Sequence, residues 1–257
     1  ISKLQKLKFY CNKKNIDFLC TPFDLKSLKD LKKIGEKKIK VISFNFNNTI
    51  FLEEAIKLGF ELLPSTGLAN KKEVDEIVSF LKRKKAKFLL FQCTSDYPAI
   101  NEMANIKVLD YYKKFKVPFG YSDHTTGNIS AVGSIFLGAK VVEKHFTLSK
   151  KMKGIDQEAS IDSNELYSLK QDLVEAYKCM GRNDKKINKN IMKNKLVMCK
   201  SLVAKKNIKK NDKLTYDNVC FKRPGNGIPV KNLKKIIGKR VKRQINYDDL
   251  IMFKDLI

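Results

Sequence analysis

Tryptophan is absent from the 257-residue chain, and of its 53 basic residues only five are Arg (Arg83, Arg182, Arg223, Arg240, Arg243), against 27 acidic ones. A net charge of +26 directs attention first to nucleic acid or a membrane surface. Base reading and bidentate phosphate clamping lean on the guanidinium fork, however, and here the excess is lysine scattered through every segment beside abundant Asn. Such a pattern decorates all surfaces rather than one stripe, so no specific nucleic-acid partner is expected. The six cysteines (Cys11, Cys20, Cys93, Cys179, Cys199, Cys220) contain no C-x-x-C pair, which argues against a disulfide framework or a zinc knuckle and fits a reducing, cytoplasmic setting. No 18-residue apolar run and no basic-then-apolar leader is present, so no membrane or secretory segment is expected. With only 12 Gly and 6 Pro, the chain is neither collagen-like nor disordered.

What is there is 43% apolar content, enough for a real core, and a length that allows one large domain or a medium and a small one. Short apolar runs (16–20, 40–43, 61–65, 87–93, 118–122, 139–145) alternate with amphipathic stretches, and each run ends in small or polar residues. Runs of this kind read as strands buried on both faces, with helices between them. The spacing Val74, Ile77, Val78, Leu81 predicts a helix capped by Asn70, and Gly35, Gly59 and Gly138 fall where helices should end. A last helix is predicted from Asp162 or Ser163, with Glu165 in its first turn and Leu166, Leu169, Leu173 and Tyr177 facing inward. Six strand-helix repeats argue for a parallel α/β architecture, either an open sheet or a (β/α)8 barrel. If a barrel, it lacks its first two strands. The chain starts at Ile1 inside an apparent helix, and about 80 to 90 upstream residues would complete such a barrel. The expected organisation is residues 1–181 as a partial barrel, 182–195 as a Lys/Asn-rich linker, and 196–257 as a small β-rich domain.

Only two histidines exist, His124 and His145, and both follow predicted strands, in Gly-Tyr-Ser-Asp-His-Thr and Glu-Lys-His-Phe-Thr. The C-terminal strand ends form the active face of parallel α/β folds. Two imidazoles there suit a divalent transition metal or a catalytic pair. Against this stands the plainer reading of two unrelated strand-end residues. Lys40, Ser43, Ser65, Ser95, Tyr97 and Ser122 gather at other strand ends and could cradle a phosphate or carboxylate, although a strand-end Ser is commonly only a turn or cap residue. Asp156 lies in the final strand-to-helix loop, where it could bond a substrate hydroxyl or simply close an Asx-turn, and Arg223 sits in a rigid Arg-Pro-Gly turn.

Thr21-Pro22-Phe23-Asp24, the segment 40–48, Ser65-Thr66-Gly67, Cys93 to Pro98, Gly120 to Thr125, Glu143 to Thr147, Asp156 to Ser160 and Arg223 to Ile228 together resemble the sialic acid synthase family. These are phosphoenolpyruvate-dependent nonulosonate synthases, and the likeness runs nearly the length of the chain. It implies a TIM (β/α)8 barrel lacking its first two strands, joined to a C-terminal antifreeze-like (SAF) domain. The implied enzyme is a C–C bond-forming transferase of the N-acetylneuraminate synthase type. It would condense phosphoenolpyruvate with N-acetylmannosamine or a related acylated amino-sugar aldehyde, release phosphate, and act as a domain-swapped homodimer. By the same likeness a divalent metal, Mn2+ or Mg2+, would be held by His124 and His145. Phosphoenolpyruvate would be bound by Lys40, Ser43, Ser65 and Ser95, and the sugar by Tyr97, Ser122, Asp156 and the partner subunit's Arg223.

Two departures from the family pattern point to a changed substrate or reduced activity. The usual Ser-Gly-Glu reads Ser43-Phe44-Asn45, and the usual Asp-His reads Asp156-Gln157. Pseudaminic or legionaminic acid synthases and spore-coat polysaccharide homologues are the alternatives within the class. A degenerate, non-catalytic polyanion-binding homologue is the alternative outside it. Ice binding is disfavoured, because the C-terminal segment is crowded with Lys.

Overall fold

The computed structural model describes residues 2–257 and divides into two compact units, one reaching to Gly181 and the other spanning Arg182–Ile257. In the first unit, β1 (Lys38–Val41) pairs in parallel with β2 (Glu61–Pro64), and β3 (Leu90–Cys93) with β4 (Phe119–Asp123), which pairs with β5 (Val142–Lys144). Single parallel bridges, Leu62 to Phe88 and Ser65 to Phe91, join the two groups. Further bridges add Cys20 at one edge and link Phe146 to Ile161 at the other. The result is a parallel ladder in strict chain order. Among the described residues no bridge joins the Cys20 edge to the Ile161 edge, so the ladder is an arc.

Strand order follows from burial. β2, β3 and β4 are buried along almost their whole length, as near-continuous apolar strands with helices outside must be. Three of the outer helices begin where a short polar side chain takes up free amides. Asp24 caps α2 (Leu25–Lys33), Asn48 caps α3 (Thr49–Lys57), and Asn70 with Glu73 forms a reciprocal box on α4 (Lys71–Arg83). α4 buries the expected Val74, Ile77, Val78 and Leu81. α5 (Val108–Tyr112) and α6 (Ile129–Leu137) follow, and α6 stops at Gly138, whose φ of 108° only glycine adopts without strain. α1 (Ser2–Lys13) buries no side chain. It is tied down by Lys8, whose Nζ pairs with Glu36 at 3.1 Å and donates to the Gly35 carbonyl at 2.8 Å.

Two expectations need correction. The run 16–20 contributes one bridge at Cys20 rather than a strand, and Ile16 and Leu19 are exposed, because this edge has a neighbour on one side only. The last helix, α7 (Ser163–Met180), carries the Asp162–Glu165 box but buries only Leu169 and Ala176, with Leu173 partly covered. Leu166 and Tyr177 face outward, since α7 packs against α6 along a narrow stripe.

In the second unit, β6 (Ser201–Ala204) and β7 (Val219–Lys222) pair antiparallel. Single bridges such as Val203 to Leu250, Ile208 to Ile245 and Val241 to Leu256 close a small β-rich body over Leu202, Ile208, Ile228, Val241, Ile245 and Ile251. The stretch read as a linker contains a helix, α8 (Lys189–Met198), capped by Asn188. Its Lys, Met and Leu are good helix formers, and none of its residues is buried. α9 (Leu233–Ile236) is the last helix. Among the described residues no helix is long and apolar enough to cross a membrane.

The face of α7 is open to direct test. Leu169→Ala, at 3% exposure, is expected to cost about 2–5 kcal/mol in chemical denaturation, whereas Leu166→Ala, at 45%, should stay within about 0.5 kcal/mol.

Candidate functional site

β4 and β5 lie side by side with Asp123 in register with Lys144, and the next residue on each strand is a histidine. Lys144 Nζ meets Asp123 Oδ2 at 2.6 Å with both side chains almost fully buried. The other carboxylate oxygen accepts from the Thr125 amide at 2.9 Å, the Thr125 hydroxyl at 2.8 Å and Ser130 Oγ at 3.0 Å. Lys144 also donates to the Thr125 carbonyl at 2.7 Å. Charges kept from water persist only when so fully matched. The pair fixes the two strand ends, and the imidazoles of His124 and His145 stand with ring centroids 5.3 Å apart. Tyr97 lies against both, 4.2 Å from the His124 ring and edge-on to His145 at 5.5 Å. Burial raises the pKa of its phenol.

His124 is buried, and burial pushes its pKa below the ordinary histidine value, favouring the neutral ring. Its Nδ1 lies 2.5 Å from the Thr94 carbonyl. That contact requires Nδ1 to carry the proton, which leaves Nε2 with a free lone pair, the arrangement metal-binding imidazoles adopt. His145 Nδ1 is 4.0 Å from Asp156 Oδ2. Glu143 Oε2 is buried without a hydrogen-bond partner and borders the same cavity. Among the described residues no group of three or more His, Cys, Asp or Glu side chains is placed to hold a metal ion. The two imidazoles, with the free Nε2 lone pair of His124, are the donors that a cation bound here would meet.

The cleft beside the histidines has a volume of ≈ 190 Å3 and is bordered by Lys40, Ser43, Ser65, Cys93, Tyr97 and Ser122 among others. Lys40, buried in β1, donates to Ser65 Oγ, lies 3.3 Å from Glu143 Oε2 and rests 5.2 Å from the centre of the Phe91 ring. The Gly67 amide donates to Ser43 Oγ at 3.1 Å. A Cβ at Gly67 would lie 2.4 Å from Ser95 Oγ, 2.6 Å from Cys93 Sγ and 3.0 Å from Ser43 Oγ, so these side chains converge on a loop that only glycine can form. Of the residues singled out in the sequence, Lys40, Ser43, Ser65, Tyr97, Ser122, His124 and His145 border one cleft, Ser95 adjoins it at Gly67, and Asp156 reaches it beside His145. Arg223 belongs to the second unit, in a cis Arg223–Pro224 turn.

Sequence reasoning missed Lys144, Glu143 and Cys93 as parts of the site, and the partner of Asp123. Asp123, Glu143 and Lys144 lie inside the two histidine words, but only strand register shows that they face one another. Of the two departures, Asn45 is buried and spends its amide on the Phe23 carbonyl at 3.2 Å while accepting from Asn48 at 3.2 Å. Gln157 accepts from the Thr147 hydroxyl. Both are occupied in holding loops.

Residues 1–185 match the NeuB family model and residues 200–257 the SAF domain. The N,N'-diacetyllegionaminic acid synthase of Campylobacter jejuni is 39% identical over 251 residues, 96% of this chain and 75% of that protein. The pseudaminic acid synthase of the same species is 32% identical over 92% of this chain and 70% of its own. A crystal structure of N-acetylneuraminic acid synthetase from Leptospira borgpetersenii, in complex with citrate, superposes with a TM-score of 0.72 at 33% identity. The overlap covers 75% of this chain and 68% of that one.

Removing one member of the buried ion pair strands the other. Lys144→Met is expected to cost about 3–5 kcal/mol in denaturant titration, and Asp123→Asn with Lys144→Met together less than the sum of the two. Additive losses would show the pair to be uncoupled.

Proposed function

This chain belongs to the NeuB family and carries a SAF domain, and on that premise we propose that it condenses phosphoenolpyruvate with an acylated amino-sugar aldehyde to give a nonulosonate and phosphate. The observation that carries the reading is the single cleft in which a lysine-serine anion cradle adjoins two imidazoles. The parallel arc supports a partial (β/α)8 barrel as the scaffold, with its active face at the C-terminal strand ends.

The donors are arranged for an anion. Lys40 donates to Ser65 Oγ and the Gly67 amide to Ser43 Oγ, so each serine oxygen accepts from the protein; the Ser65 hydroxyl is left free to donate to a ligand, while Ser43 Oγ also lies 3.5 Å from Cys93 Sγ. With the Lys40 charge, and with Ser95 beside them, these hydroxyls would hold the phosphate and carboxylate of phosphoenolpyruvate. Tyr97, Ser122 and Asp156 would contact the sugar. His124 and His145 would hold a divalent metal, Mn2+ or Mg2+, which when bound supplies Lewis-acid polarisation of the aldehyde oxygen. C3 of phosphoenolpyruvate forms a bond to the aldehyde carbon, whose oxygen takes a proton. Water adds at C2, and the resulting tetrahedral centre collapses to the ketone as the C–O bond to phosphate breaks.

The similarity to the legionaminic acid synthase favours a diacylated amino-sugar over N-acetylmannosamine. Arg223 enters the reading as a group supplied to the sugar by a second copy of the chain.

Phosphate release from phosphoenolpyruvate in the presence of Mn2+ should require an acylated amino-sugar. It should fall at least about 100-fold in His124→Ala or His145→Ala, and Lys40→Met should raise the KM for phosphoenolpyruvate on the order of tenfold. Absence of release with mono- and diacylated amino-sugars alike would sink the proposal. If Arg223 acts across a homodimer, mixing the inactive His124→Ala and Arg223→Ala variants should restore roughly a quarter of wild-type activity through mixed dimers with one intact site, whereas action within one chain restores none.

A further inference from the structure

Behind the wall made by Gly67 and Cys93 lies a second and larger cavity, of ≈ 420 Å3, between the ends of β2 and β3 and the helices α4 and α5. It shares only Cys93 with the cleft. We propose that this cavity is a separate binding site for a small organic acid with a planar apolar body.

Ala69, Val74, Val108 and the Tyr111 ring give dispersion contacts to a flat apolar ligand, and Thr66, Thr94 and Asn105 add polar atoms to the lining of the cavity. Its inner end is Gln92, buried in β3. The Gln92 carbonyl oxygen accepts from Tyr112 Oη at 3.2 Å, and Tyr112 is in turn bonded to Thr66 at 2.7 Å. The amide nitrogen of Gln92 has no protein partner among the described residues and is not sealed from the cavity, so its N–H groups are donors that a ligand oxygen would satisfy. At the outer end stands Lys71. Its Nζ lies 5.0 Å from the centre of the Tyr111 ring and forms no ion pair. The acid nearest to it along α4, Asp75, is engaged by Lys114 at 2.5 Å. Lys114 itself lies 4.1 Å from the same ring and is spent on Asp75, which leaves Lys71 as the charged residue lining the cavity. One surplus positive charge beside an aromatic face selects a monoanion attached to a ring or planar group, and Gln92 selects an acceptor farther in. A phosphate would find a single lysine and no cluster of donors here, which favours a carboxylate.

The test uses the full chain and 4-hydroxyphenylacetate as probe, with the neutral 4-hydroxyphenylacetamide as control, followed by calorimetry and ligand-observed NMR. The acid is expected to bind with a Kd of about 1 mM or tighter, and the amide roughly tenfold more weakly. Lys71→Met, a surface change that leaves the fold intact, should bring the acid to the affinity of the amide. Val108→Phe, which fills the cavity, should abolish binding while the thermal midpoint is retained. The proposal is overturned if the acid shows no binding at about 10 mM, if acid and amide bind equally, or if Lys71→Met or a folded Val108→Phe binds like the wild type.

Discussion

The buried ion pair between Asp123 and Lys144 is the constraint on which the cleft depends. Each partner immediately precedes one of the two histidines, and the two face each other across the β4–β5 register. An aspartate and a lysine this far from water tolerate little displacement, because every lost contact exposes an uncompensated charge. The strand ends are thereby held at one relative height, and the imidazoles inherit their separation from it. His124 favours the neutral ring because it is buried, and not because of the pair, whose aspartate acts in the opposite direction.

A second lysine, Lys40, shows how little the large basic excess has to do with the chemistry. Most lysines lie on the surface, where screening leaves each pair worth little. Lys40 is buried and faces Ser65, Glu143 and the Phe91 ring at once beside the cleft. Its neighbours act through it. Ser65, which accepts from the ammonium, keeps its own O–H available as a donor at the border of the cleft.

What could be read in the sequence was whatever local patterning controls. The period of Val74, Ile77, Val78 and Leu81 marked α4 and its face, and the order of apolar runs marked a parallel ladder, because strands buried on both sides leave no alternation. The histidines were visible as strand-end residues for the same reason. The inward face of α7 was misread, since periodicity shows which residues are apolar but not how wide a stripe a single neighbouring helix covers. The run 16–20 misled because its composition suits a strand while its place at the edge of the arc gives it one partner. Glu143 and Lys144, and the pairing of Lys144 with Asp123, escaped notice because their meaning lies in register between strands about twenty residues apart. Asn45 and Gln157 read as lost functional groups, whereas the structure finds them engaged in holding loops.

Gly67 carries a consequence for how this protein can change over time. With a Cβ at 2.4 Å from Ser95 and 2.6 Å from Cys93, every other amino acid at this position would push apart the loop that feeds Ser43 its hydrogen bond. The surface can therefore drift toward lysine with little cost, but codon 67 cannot drift at all unless Ser43, Cys93 and Ser95 move with it. A side chain at 67 is admitted only together with rearrangement of the three side chains packed around it.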